Sequence, residues 1–209
     1  MSESSFDFNA FIKESKDVLV TPKSYFSTMK TTGGLGEPVI KALIYGAVAG
    51  IISFLWSLLH LGGGMFGGGV GIMIFVWTVI GAVIGLFIGA VLTLIVSAIC
   101  KGSTDFEANA RVTAAVMVIM PISALLGFIS GFNPVAGAIV SLVVNIFALY
   151  LLYYGLTEAL KANPATTKIV MYVLIALLVI FMLVGMGARK RVSKMNTDLK
   201  ELMQDVQKK

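Results

Sequence analysis

The chain has 209 residues, 57% of them hydrophobic and only 13% charged, with a mean hydropathy of +0.93. Soluble domains hold roughly a quarter charged residues, and here Asp, Glu, Lys and Arg are missing altogether from residues 42–100, 112–157 and 169–188, which excludes a water-soluble globule. The net charge of +5 lies beside these apolar runs, where it reads as membrane topology or contact with anionic lipid and gives no support to nucleic-acid binding.

The start, MSESSFDF, is acidic and has no basic region followed by an apolar core, so no cleavable signal peptide is expected. Over residues 5–20, Phe8, Phe11, Ile12 and Leu19 share one helical face, with Lys13, Glu14, Lys16 and Asp17 largely on the other. That pattern predicts an amphipathic helix lying in the membrane interface. Thr21-Pro22 joins a capping oxygen to a residue suited to the first helical position, predicting a short second helix. Its Tyr25, Phe26 and Met29 are left to dock on the bilayer surface or on the helical bundle.

TTGGLGEP at 31–38 is a linker, and the first membrane span follows at 38–60, with Trp56 and His60 marking its far interface. GGGMFGGG at 62–69 is expected to be a turn; without a preceding strand or a following Gly-Lys-Ser/Thr it is no phosphate loop. Val70 to Cys100 is 31 residues, too long for one untilted crossing and too short for two, and the second span is placed at 74–100. Further spans are expected at 110–130, 134–157 and 167–187. Tyr150, Tyr153, Tyr154 and Tyr172 fall near one interface. The tail from 188 carries Val192, Met195, Leu199, Leu202 and Val206 between charged residues and reads as a basic amphipathic helix. The chain therefore divides into an interfacial segment (1–37), an all-α bundle of five transmembrane helices (38–187) and the tail (188–209).

With the N-terminus in the cytosol, Lys13, Lys16, Lys23, Lys30, Lys41, Lys101, Arg111, Lys161 and Lys168 all lie inside, as the positive-inside rule asks. Five crossings then put the basic tail on the other side, against that rule.

Small residues recur at four-residue steps after Trp77, at Gly81, Gly85, Gly89, Thr93 and Ser97, and more weakly at Gly46, Gly50, Ser53 and Ser57. Such strips admit a close helix neighbour within one bundle or in a second copy. Asn145, near the middle of the fourth span, is expected to point into the bundle, toward another helix or a water path. Pro121 removes a helix hydrogen bond, so the third span should kink. Cys100 is the only cysteine and His60 the only histidine, which leaves no disulfide within the chain and no metal set. The spans hold neither a nucleophile and base nor paired carboxylates, so no catalysis and no cofactor are expected.

Four strings carry a family resemblance: VLVTPKSYFSTM (18–29), GGLGEPVIKALIYGAVAG (33–50), CKGSTDFEANARVTAAVMVIMP (100–121) and ALYLLYYGLTEALKANPATTKIV (148–170). In their order they resemble the prokaryotic branch of the Yip domain family, five-span membrane proteins named for interaction with Ypt/Rab GTPases. The resemblance implies an N-cytosolic five-helix bundle. The Asp-Leu-Tyr-Gly-Pro signature of the eukaryotic members is absent, so GTPase binding is not carried over. The reading that results is a non-enzymatic membrane organiser in which Phe8, Phe11, Ile12, Tyr25 and Phe26 engage lipid or a partner. Two alternatives stay open: a passive channel or small-molecule transporter, and an accessory subunit of a larger membrane complex. The expected partners are membrane lipids, anionic ones included, and a second copy or another membrane protein.

Overall fold

The structure, a computed structural model, describes residues 7–59 and 72–207, with side chains described through residue 185. The expectations for His60, for the glycine-rich turn and for the tail's side chains lie outside that set. Among the described residues, helices joined by short connections are the only regular structure: α1 (Phe8–Val20), α2 (Pro22–Thr28), α3 (Gly36–Leu58), α4 (Ile72–Ile99), α5 (Phe106–Val116), α6 (Ile119–Leu126), α7 (Ile129–Phe132), α8 (Pro134–Tyr154), a π-helical turn (Gly155–Ala159) and α9 (Pro164–Gln207). Five stretches are long and apolar enough to cross a membrane: Gly36–Leu58, Ile72–Ile99, Phe106–Phe132, Pro134–Ala159 and Pro164–Gly185.

Short polar side chains set the starts of these helices. Asp7, Asn133 and Asn163 each accept two backbone N–H bonds from the first turn of the following helix, and Asp105 accepts one from Ala108. Such caps satisfy donors that the helix itself cannot. Pro22, Pro134 and Pro164 stand just inside the helices they open, where a missing N–H costs nothing.

The third crossing is broken, and Pro121 accounts for the first break. Its ring collides with the carbonyl four residues back, that of Met117, and the chain shortens there to bonds from Val118 N–H to Ala115 and from Met120 N–H to Met117. The kink expected from the sequence is thus present. A second break at Gly127 and Phe128 leads into the short α7.

α3 packs on α4, α5 and α6, while α8 packs on α6, α7 and α9. The main core gathers at the end of the bundle where α3 and α5 begin, from Phe11, Val18, Phe26, Tyr45, Cys100, Val112, Leu151, Leu156 and Leu160. α2 lies against the π-helical turn, and Phe26, 1% exposed, stands beside Gly155. A Cβ on Gly155 would sit 2.5 Å from Val112 Cγ1.

The small-residue strips divide differently from the sequence reading. A Cβ on Gly46 would meet Ala82 Cβ at 2.6 Å, and one on Gly50 would meet Phe75 Cδ2 at 2.9 Å, so the first-span glycines are the true contact between α3 and α4. Gly89 approaches Thr113 of α5, but Gly81 and Gly85 have no neighbour within 4 Å of an added Cβ. The inner face of α4 runs instead through Ala82, Leu86, Ala90, Thr93 and Ser97. Ala82 fills the hollow at Gly46 and Phe75 the one at Gly50, which turns Gly81 and Gly85 outward.

Asn145 also departs from expectation. It lies on an exposed face of α8, where its amide donates to the carbonyl of Ser141 at 2.7 Å. The preceding helical turn supplies the hydrogen bond that a facing helix was expected to supply.

Candidate functional site

Where α3 and α5 begin, each helix repeats one small pattern: a glutamate, then a cation one turn further in. On α3 these are Glu37 and Lys41, 2.7 Å apart, and on α5 Glu107 and Arg111, 3.1 Å apart. Residues four apart share a helix face, so both cations are carried into the apolar packing while the carboxylates stay near its rim. The side chains of Lys41 and Arg111 are 9% and 6% exposed, against 43% for Glu37 and 28% for Glu107.

A charge in that position is costly unless paired, and here both are paired several times. Arg111 Nη1 donates to Glu37 at 2.7 Å, Nε to Glu107, and Nη2 to the Gly34 carbonyl at 2.9 Å. Glu107 in turn accepts from the Gly34 N–H at 2.6 Å. Gly33 and Gly34 take φ values of 130° and 89°, a backbone region that favours glycine. A Cβ on Gly33 would also fall 2.9 Å from Arg111 Nη2, so the linker can fold over the guanidinium only as glycine.

α1 is fastened to the same cluster. Glu14 accepts from Lys41 Nζ at 2.7 Å. Ser15 donates to the Phe11 carbonyl at 2.7 Å, and its oxygen lies 2.8 Å from the Tyr45 hydroxyl of α3, which donates to it. The rings of Phe11 and Tyr45 pack tilted at 42°, 5.1 Å between centroids. From α2, Tyr25 faces Lys41, and burial pushes its hydroxyl up to about 12 against the lowering pull of that ammonium. The result is a clasp of α1, α2, the 31–38 linker, α3 and α5 whose two buried cations, Lys41 and Arg111, are both spent on groups of the chain.

The residues expected to engage lipid or a partner separate into two sets. Phe11 and Phe26 are buried at 7% and 1% exposure, and Tyr25 is half-buried beside Phe26. Their rings face the bundle, which corrects the expectation of an outward role and selects the bundle as the dock of α2. Phe8 and Ile12 remain more than half exposed, joined by Val20 at the end of α1. The apolar face of α1 is therefore split, because Phe11 and Val18 are taken up by Tyr45 and its neighbours. Sequence reasoning treated Lys41 and Arg111 only as markers of sidedness. The repeated Glu-x-x-x-Lys/Arg at the starts of the first and third spans was the signal that could have found the clasp.

Among the described residues, no three His, Cys, Asp or Glu side chains are grouped so as to hold a metal ion. Five apolar crossings, closed at one end by an ionic clasp that holds an N-terminal helix pair, define a multi-pass integral membrane protein. The sequence matches the Yip1 domain over residues 16–186. The chain belongs to the Yip1 family. Comparison with curated proteins finds no match, and neither does comparison with solved structures.

Proposed function

We propose that this Yip1-family protein is a non-enzymatic organiser of a cytoplasmic membrane, with its N-terminus in the cytosol and α1 as its membrane-active edge. The observation that carries the reading is the division of α1: Phe11 and Val18 anchor it to the bundle, while Phe8, Ile12 and Val20 are left exposed. An apolar edge held beside the headgroups enters the boundary between headgroups and acyl chains, and the Glu14 contact to Lys41 sets its orientation. The basic residues at this end, among them Lys13, Lys16, Lys101 and Lys161, support a cytosolic placement. A channel draws less support, since the hollows at Gly46 and Gly50 are filled by α4.

The test is reconstitution of the full chain carrying F8D and I12D. Both side chains are exposed, so the bundle should assemble as before. Vesicles with the wild type should differ in size distribution and curvature from protein-free ones, and the variant should lose that difference. Identical vesicles with both proteins, together with an unchanged set of co-purifying proteins in cells, would sink the reading.

A second reading, assembly with another membrane helix, is favoured by Asn145 and Ser141 on an exposed face of α8. Polar side chains inside a bilayer normally face protein. Purification in mild detergent should then recover a stoichiometric partner or dimer that N145L weakens.

A further inference from the structure

Only two residues other than glycine have positive φ among the described residues, and both are lysines: Lys101 at 58° and Lys161 at 56°. They occupy equivalent places. Each follows a fully buried residue at the end of a crossing, Cys100 after α4 and Leu160 after the π-helical turn. The two turns are bonded to each other reciprocally, the Ser103 N–H donating to the Leu160 carbonyl and the Asn163 N–H to the Cys100 carbonyl, both at 2.8 Å. Gly102 permits the approach, since a Cβ there would lie 2.9 Å from Ala162 Cβ. A left-handed position at a helix end ordinarily takes glycine or asparagine, and this chain places lysine there twice.

Both lysines line the same cavity of about 340 Å³, with Thr31 and Ser103 also on its wall. Neither ammonium makes a salt bridge or a side-chain hydrogen bond among the described residues, in contrast to Lys41 and Arg111. Ser103 Oγ accepts from the Asp105 N–H, which leaves its own proton free to donate. Asp105 accepts the Ala108 N–H as a helix cap. Two lysines and two hydroxyl-bearing residues thus line one cavity at the ends of membrane crossings, the depth at which lipid phosphates lie.

We propose that Lys101, Lys161, Ser103 and Thr31 form a binding site for a phosphate group, carried by an acidic phospholipid or by a soluble phosphate. Two unpaired cations favour an anion, and the hydroxyls suit the acceptor oxygens of phosphate. The site lies apart from the exposed edge of α1 and does not rest on the organiser reading.

The experiment measures lipid retained by the full-length protein, by native mass spectrometry, from phosphatidylcholine nanodiscs with and without phosphatidic acid. The wild type should retain phosphatidic acid, and K101Q/K161Q should bind it about thirtyfold more weakly, the loss expected for two interfacial lysines. K13Q/K16Q, on the exposed side of α1, should bind as the wild type does. K101G/K161G removes the charges while relieving the backbone, so it should lose binding and melt at a higher temperature; K101R/K161R should keep binding. Competition by inorganic phosphate would assign the site to a soluble anion, and indifference to it would assign a lipid headgroup. Wild-type retention by both K101Q/K161Q and K101G/K161G, or an equal loss in K13Q/K16Q, would overturn the proposal.

Discussion

The first and fifth crossings are nearly matched in length, at 23 and 22 residues, yet a third of the most apolar window of α3 is buried and only 6% of that of α9. The membrane segment of α9 is the more hydrophobic of the two. The comparison teaches that hydropathy decides whether a helix enters the bilayer, while small residues and paired charges decide what it packs against. α3 carries Gly46 and Gly50 for close approach and Glu37 and Lys41 for the clasp, whereas the membrane segment of α9 has no charge between residues 169 and 185 and rests mainly on α8.

The sharpest way to break this contrast is R111M, which removes the Arg111 bonds to Glu37, Glu107 and the Gly34 carbonyl and leaves Glu37 only Lys41 and Glu107 only the Gly34 N–H. Removing one partner of a buried pair costs about 3–5 kcal/mol. The half-exposed carboxylates place this case near about 3 kcal/mol, measured by reversible unfolding in mixed micelles. G46A should follow at about 2 kcal/mol, because the new methyl meets Ala82 and the backbone of Val79 and overpacks the contact. G81A and G85A meet nothing and should change stability by less than about 0.5 kcal/mol. If those two cost as much as G46A, the packing of α4 is wrong. V173A on exposed α9 should likewise stay within about 0.5 kcal/mol.

A further effect concerns pH and is confined to the alkaline range. The folded state holds the Tyr25 proton more tightly, near 12 instead of 10.0, so its contribution to stability is complete below about pH 10 and falls as pH rises through about 12. Tyrosinate absorbance should show a late-titrating component that Y25F reduces by one group.

The crossings were legible in the sequence because a bilayer imposes one simple requirement, about 20 apolar residues per helix, and Pro121 told its own story. The faces were harder to read. In water an apolar stripe marks the inside, but here Gly81, Gly85 and Asn145 face outward while Lys41 and Arg111 face inward, since lipid tolerates apolar surface and buried cations seek carboxylates. Phe11 and Ile12 are adjacent in sequence and end on different sides of α1, a distinction set by the position of Tyr45. The clasp depends on pairing across more than 70 residues, from Glu37 to Arg111, a relation no local window contains.

Cys100, the sole cysteine and fully buried, gives the protein an internal chronometer. Its thiol is buried in the main core at the end of α4, beside the turn whose backbone Asn163 bonds, so a maleimide can reach it only when the packing there opens. The alkylation rate of the wild-type chain therefore reads the opening equilibrium directly, without an engineered probe. An anion that fastens the two turns together should slow that clock.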